Sequence, residues 1–161
     1  MKPRVYLETT VPSYLTALPS ANLVMAVNQQ ITRDWWEKRS SDYELFISEV
    51  VLSEVALGDP DAAKRRLEWC REIPSLKASP EAARLTQLVL THTQLPANAA
   101  ADAAHISIAV VGGMDYLLTW NCRHIANARL RRAIELICAE QGYKAPVICT
   151  PTELLGESDG T

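Results

Sequence analysis

Three carboxylates stand where the pattern around them calls for apolar side chains. Glu8 follows the run Arg4-Val-Tyr-Leu7 and so closes a first strand, at the end where open α/β sheets form their ligand crevice. Glu54 lies in Ser48-Glu-Val-Val-Leu-Ser-Glu-Val-Ala-Leu-Gly58 with Val50, Val51 and Leu57 at i−4, i−3 and i+3, so it points from an apolar helix face. Asp102 sits in Asn98-Ala-Ala-Ala-Asp-Ala-Ala-His-Ile-Ser-Ile-Ala-Val-Val111, a stretch so nearly apolar all round that it reads as a buried helix. A lone buried carboxylate is costly unless something pairs with it. Three acids converging on one sheet edge would oppose one another's ionisation unless a cation sat among them. A hard, oxygen-seeking ion such as Mg²⁺ or Mn²⁺ suits that role. Such an ion activates a water and neutralises charge growing on a phosphate oxygen, the chemistry of phosphodiester hydrolysis.

Neighbouring groups sort by position. Asn121 closes the strand Tyr-Leu-Leu-Thr-Trp and shares a sheet edge with Glu8, whereas Asp115 begins that strand and falls at the opposite edge. Glu49 lies in the first turn of its helix, where it complements the dipole. Two of the acids also have a plainer reading: Glu8 as a solvated strand end, Asp102 as a carboxylate satisfied by its own helix start. His105 reads as a packed, hydrogen-bonded core histidine, and His124 as a cap for the following helix or a substrate contact. Zinc is a poor match because neither has Cys or further His partners nearby.

The elements that must carry these groups are marked by periodicity and caps. Strands are expected at 5–7, 43–47, 116–120 and 147–149, with a weaker one at 75–78. They alternate with helices near 22–40, 48–57, 60–73, 80–93, 99–111 and 125–141, the rhythm of a parallel sheet covered by helices on both faces. Asp59-Pro60, Ser79-Pro80 and Thr150-Pro151 each pair an oxygen-bearing cap with proline at the first helical position, and Thr150 with Glu153 spells a capping box. Gly112-Gly113 and Gly142 end the fifth and sixth helices. Leu23, Val27, Ile31 and Trp35 form a stripe read as core packing.

With 161 residues, 48% hydrophobic and 22% charged, the chain reads as one α/β domain over 1–155 with a frayed tail at 156–161. No apolar run reaches membrane-spanning length and the start lacks a signal-peptide segment, so the expectation is a cytoplasmic protein with no membrane association. Four cysteines without a C-x-x-C pair read as reduced thiols. A net charge of −3 excludes nucleic-acid binding by bulk positive charge. Local basic windows remain: Lys64, Arg65, Arg66 and Arg71, then Arg123, Arg129, Arg131 and Arg132. Arg123 follows Asn121 closely enough to reach a phosphate there.

Three segments, in order and spacing, resemble the PIN-domain family, and within it the VapC-like toxin nucleases of type II toxin–antitoxin systems: Tyr6-Leu-Glu-Thr-Thr-Val-Pro-Ser-Tyr14, Ile47-Ser-Glu-Val-Val-Leu-Ser-Glu-Val-Ala-Leu-Gly-Asp59, and Ala101-Asp-Ala-Ala-His-Ile-Ser-Ile-Ala109 leading into Tyr116-Leu-Leu-Thr-Trp-Asn121. The resemblance implies a three-layer, Rossmann-like α/β/α sandwich with a central parallel sheet. It also implies an Mg²⁺- or Mn²⁺-dependent endoribonuclease leaving a 5′-phosphate and a 3′-hydroxyl. The family's four acidic positions fall on Glu8, Glu54, Asp102 and Asn121, with Glu8 and Asp102 as metal ligands and Glu54 as a ligand or as a general base through a water. Thr119 accompanies the fourth, and Thr119, Arg123 and His124 are the expected substrate contacts. RNA is the implied substrate, and a cognate antitoxin and a second copy of the chain are the implied partners.

Two positions depart from the family pattern. Glu8 is one methylene longer than the usual aspartate, and Asn121 replaces a carboxylate by an amide. The implied site therefore holds three formal charges, suited to one metal or to completion by substrate, with Asn121 orienting a water or the scissile phosphate. The rival reading is a weakened PIN domain that binds RNA or protein without cutting.

Overall fold

The computed structural model describes residues 1–156. The chain runs β1 (Arg4–Leu7), α1 (Thr10–Thr16), α2 (Leu23–Arg39), β2 (Glu44–Ser48), α3 (Glu49–Val55), α4 (Pro60–Cys70), β3 (Ser75–Leu76), α5 (Pro80–His92), α6 (Ala100–Val111), β4 (Tyr116–Leu118), α7 (Ala128–Gln141), β5 (Val147–Cys149) and α8 (Pro151–Leu155). All five strands are parallel, in the order β3-β2-β1-β4-β5, with Tyr6 beside Phe46 on one side and Leu117 on the other.

That order determines where a ligand can bind. The chain leaves β1 toward β2 and β3, then returns to place β4 on β1's other side, so the sheet switches direction between β1 and β4. Crossovers leaving a switch point in opposite directions diverge to opposite faces, and a crevice opens at the carboxyl ends of the two strands. The helices divide accordingly: α5 packs on α6 and α7, while α2 packs on α1 and α8.

Val5, Tyr6 and Leu7 are buried consecutively, as expected for a central strand covered on both faces. Asp59, Ser79 and Thr150 each accept the backbone N–H three residues on, and the Thr150–Glu153 capping box is complete. Gly142 ends α7 in the left-handed region at φ 78°.

Several boundaries differ from expectation. The helix expected from 125 starts at Ala128 because Asn127 is its cap, accepting from the amides of Arg129 and Leu130. Those expected at 48–57 and 60–73 stop at Val55 and Cys70. Helix α1 was not anticipated. The stripe on α2 is core only at one end: Trp35 is fully buried, whereas Leu23 and Val27 are 79% and 50% exposed. A 17-residue helix is about 25 Å long, and strands of four or five residues span only about 15 Å, so the helix outruns the sheet it covers.

All four cysteines are free; Cys70, Cys138 and Cys149 are buried, and burial pushes their thiols up to about 11, 11 and 12. Among the described residues no helix is long and apolar enough to cross a membrane. The tail expected at 156–161 lies, beyond Gly156, outside the described residues.

Candidate functional site

The crevice between β1 and β4 begins where their pairing ends. The Glu8 amide donates to the Leu118 carbonyl at 3.1 Å, extending the ladder by one residue and fixing Glu8 at the sheet edge. Its side chain is only 4% exposed. One carboxylate oxygen, Oε1, accepts the hydroxyls of Thr119 and Thr10, both at 2.6 Å, and the Thr10 amide at 3.2 Å. Both hydroxyls are fixed in turn, Thr10 by accepting the Trp120 amide and Thr119 by accepting the Asn121 amide. Each therefore spends its proton on Glu8.

Glu54 approaches from α3, half-buried, its Oε1 accepting the Thr9 hydroxyl at 2.6 Å and meeting Nε2 of His105 at 2.5 Å. The His105 ring is fully buried, with Nδ1 2.7 Å from the Tyr6 hydroxyl, which lies 2.7 Å from the Ser48 hydroxyl. Ser48 caps α3 and accepts the Val51 amide. Burial pushes the Tyr6 phenol far above its ordinary range, so it keeps its proton. One assignment satisfies every group: Ser48 donates to Tyr6, Tyr6 to Nδ1 of His105, and Nε2–H of His105 to Glu54. A cap, a core tyrosine and a core histidine thus end on one carboxylate.

Burial pushes the Glu54 carboxyl up, but the hydrogen bonds from His105 and Thr9, with the attraction of the imidazole, outweigh it and hold the group below its ordinary range. With the folded value lowered, ionised Glu54 stabilises the folded chain above the ordinary carboxylate range, and the contribution is lost as pH falls through the lowered value. The stability of the wild type relative to Glu54→Gln is expected to decline from neutral pH to below about 4. Thermal melts of both proteins across that span check this; a constant difference would contradict it.

Asp102, in the first turn of α6, is held by side chains and not by its helix start alone. Its Oδ1 accepts the Asn121 amide nitrogen at 3.1 Å and its Oδ2 lies 2.9 Å from Nδ1 of His124. Asn121 Oδ1 accepts the His124 backbone N–H at 3.0 Å. Each polar end of Asn121 thus makes one hydrogen bond inside the protein, and its second amide N–H and second oxygen lone pair are left over. His124 is not the cap of α7. Thr119, expected to meet substrate, is fully buried against Glu8. Arg123 is exposed, and its side chain has no carboxylate partner among the described residues.

Among the described residues, Glu8, Glu54 and His105 form a group whose possible metal-binding atoms lie within 4.8 Å of one another. Asp102 is not in it and connects through Asn121 and Thr119. The expected set of three acids is therefore a close pair with the third beside it. The pair suits a hard cation: Oε2 of each glutamate accepts no hydrogen bond among the described residues, while Oε1 is clamped by hydroxyls. In the assignment that satisfies every group, the Nε2–H of His105 is directed at Glu54, so the imidazole serves a carboxylate and not an ion. Thr9, Thr10, Tyr6 and Ser48 were not singled out from the sequence; the only available signal was Thr9-Thr10 directly after the strand-ending acid.

No family model matches the chain, and no curated protein matches it. Among solved structures, the chain is similar to one from the crystal structure of VapBC2 from Rickettsia felis bound to a DNA fragment from their promoter. The TM-score is 0.60 at 12% identity, over 91% of this chain and 97% of that one. The likeness shows the fold, a VapC-like PIN-domain fold built on the parallel sheet described above.

Proposed function

We propose that the chain is a divalent-metal-dependent endoribonuclease and the toxin of a toxin–antitoxin pair. The observation that carries this reading is the convergence of Glu8 and Glu54 within 4.8 Å at the sheet's switch point, each with one clamped and one free oxygen. Glu8 and Glu54 would hold Mg²⁺ or Mn²⁺, with Asp102 as the third ligand. When bound, the ion supplies a more acidic water and offsets charge growing on a phosphate oxygen. The chain's own groups position the reactants: Thr9, Thr10 and Thr119 each hold one oxygen of a glutamate and leave the other free, His105 orients Glu54, and Asn121 and His124 orient Asp102. Arg123 neutralises an RNA phosphate at the crevice mouth. The likeness to a VapBC2 chain supports a cognate antitoxin as partner.

The test is cleavage of a structured RNA with Mg²⁺ or Mn²⁺ by the wild type and by Asp102→Asn, together with Mn²⁺ binding by electron paramagnetic resonance. Asp102→Asn is expected to lose cleavage by roughly 10²–10⁴-fold. Equal cleavage by both proteins would remove Asp102 from the mechanism and point to a contaminating nuclease. The amide at Asn121 favours a second reading, a binding module that does not cut. Growth arrest on expression, relieved by Asp102→Ala, separates the two; no arrest together with no Mn²⁺ binding selects the binding module.

A further inference from the structure

We propose that the cavity beside Asp102 is a nucleotide subsite, which takes the ribonucleotide next to the scissile phosphate. The proposal rests on the nuclease reading and adds where the strand is held. The cavity has a volume of about 460 Å³, lies between the segment following α5 and the first turns of α7, and is within the size range of pockets that enclose small organic ligands.

Its lining combines two chemistries. Arg123 and Arg129 both border it, both are exposed, and neither has a carboxylate partner among the described residues. In a chain of net charge −3, two unpaired guanidinium groups on one cavity concentrate positive potential there. Leu95, Leu130 and Ala133 add apolar surface to the same cavity. A simple inorganic anion has no use for that surface. A nucleotide uses both, because its phosphate pairs with arginine and its base packs on apolar side chains or on a guanidinium plane.

Placement supplies the remaining step. His124 lines the cavity and also holds Asp102 through Nδ1 at 2.9 Å, so one side chain is shared by cavity and acid site. A nucleotide seated here lies against the side chain that holds Asp102. An acidic peptide would satisfy the arginines but would leave the apolar lining unused.

The test titrates ¹⁵N-labelled protein with 5′-AMP and 5′-UMP, with inorganic phosphate and poly-glutamate as separate probes, and follows amide shifts. The nucleotides are expected to give saturable shifts centred on Gln94, Asn127 and Leu130, with weaker effects from phosphate. Ala133→Trp, which fills the cavity from the half-buried face of α7, should abolish those shifts. It should also raise KM for RNA on the order of ten-fold while leaving kcat and Mn²⁺ binding unchanged. Arg129→Glu, at an exposed position, gives the same reading without altering packing. Nucleotide shifts that map elsewhere, or that persist in both variants, would overturn the proposal. So would equal shifts from phosphate, or a response to poly-glutamate alone. Nucleotide binding here without RNA cleavage would leave the subsite standing and sink the nuclease, whereas cleavage with no nucleotide binding in the cavity would do the reverse.

Discussion

Glu8→Gln is expected to lose Mn²⁺ binding and RNA cleavage while its metal-free form melts no lower than the wild type. Two carboxylates with oxygens within 4.8 Å, one of them 4% exposed, repel each other when no cation separates them. Glutamine removes that repulsion and preserves the packing, since its Oε1 still accepts the hydroxyls of Thr10 and Thr119. It also removes a charge that an ion needs. Losing a ligand should cost more than the roughly 10–100-fold that losing an outer partner costs. Glu8→Ala separates the electrostatic effect from the structural one. It leaves the Thr10 and Thr119 hydroxyls without their acceptor, Thr119 fully buried, at about 1–3 kcal/mol for each unsatisfied group. Melting curves without metal and Mn²⁺ titrations of the three proteins check the pattern. A glutamine variant as destabilised as the alanine variant, or one that binds Mn²⁺ like the wild type, would show that Glu8 is a structural acceptor and nothing more.

How much of this was readable in the chain depends on the range of the interaction concerned. Glu8 and Glu54 stood out because each interrupts an apolar pattern over a few residues; the caps at Asp59, Ser79 and Thr150 are likewise local, and the structure contains all three. Helix α1 was illegible for the opposite reason. Its sequence Thr-Val-Pro-Ser-Tyr-Leu-Thr is poor in helix formers, and it is held by burying Val11 and Pro12 against the rest of the chain. Asn121 was expected to close the strand, which instead ends at Leu118, and its contacts depend on partners 19 residues before and three after, which no pattern announces. The overhang of α2 could not be read either, because periodicity reports which face is apolar and says nothing of how far the covering sheet extends.

His105 shows the same limit and carries the second large prediction. Its burial was legible, whereas its contact with Glu54, 51 residues away, was not. If the chain of donors runs from Ser48 through Tyr6 and His105 to Glu54, the Nε2 proton of the histidine goes to Glu54, and its work is to fix one carboxylate oxygen and leave the other free. His105→Ala should then lower Mn²⁺ affinity and cleavage by about 10–100-fold and leave the Tyr6 hydroxyl and Glu54 each short of a partner. His105→Gln, whose amide nitrogen can reach the Nε2 position, should recover part of the Mn²⁺ affinity; a role in packing alone would give no such recovery. Tyr6→Phe tests the far end of the chain, since it removes the donor to Nδ1 without touching the acid pair. Histidine ¹⁵N spectra of the wild type should show Nε2 protonated and Nδ1 bare. A spectrum with the proton on Nδ1, or an alanine variant whose Mn²⁺ affinity is unchanged, would break the link between the buried core and the acidic site.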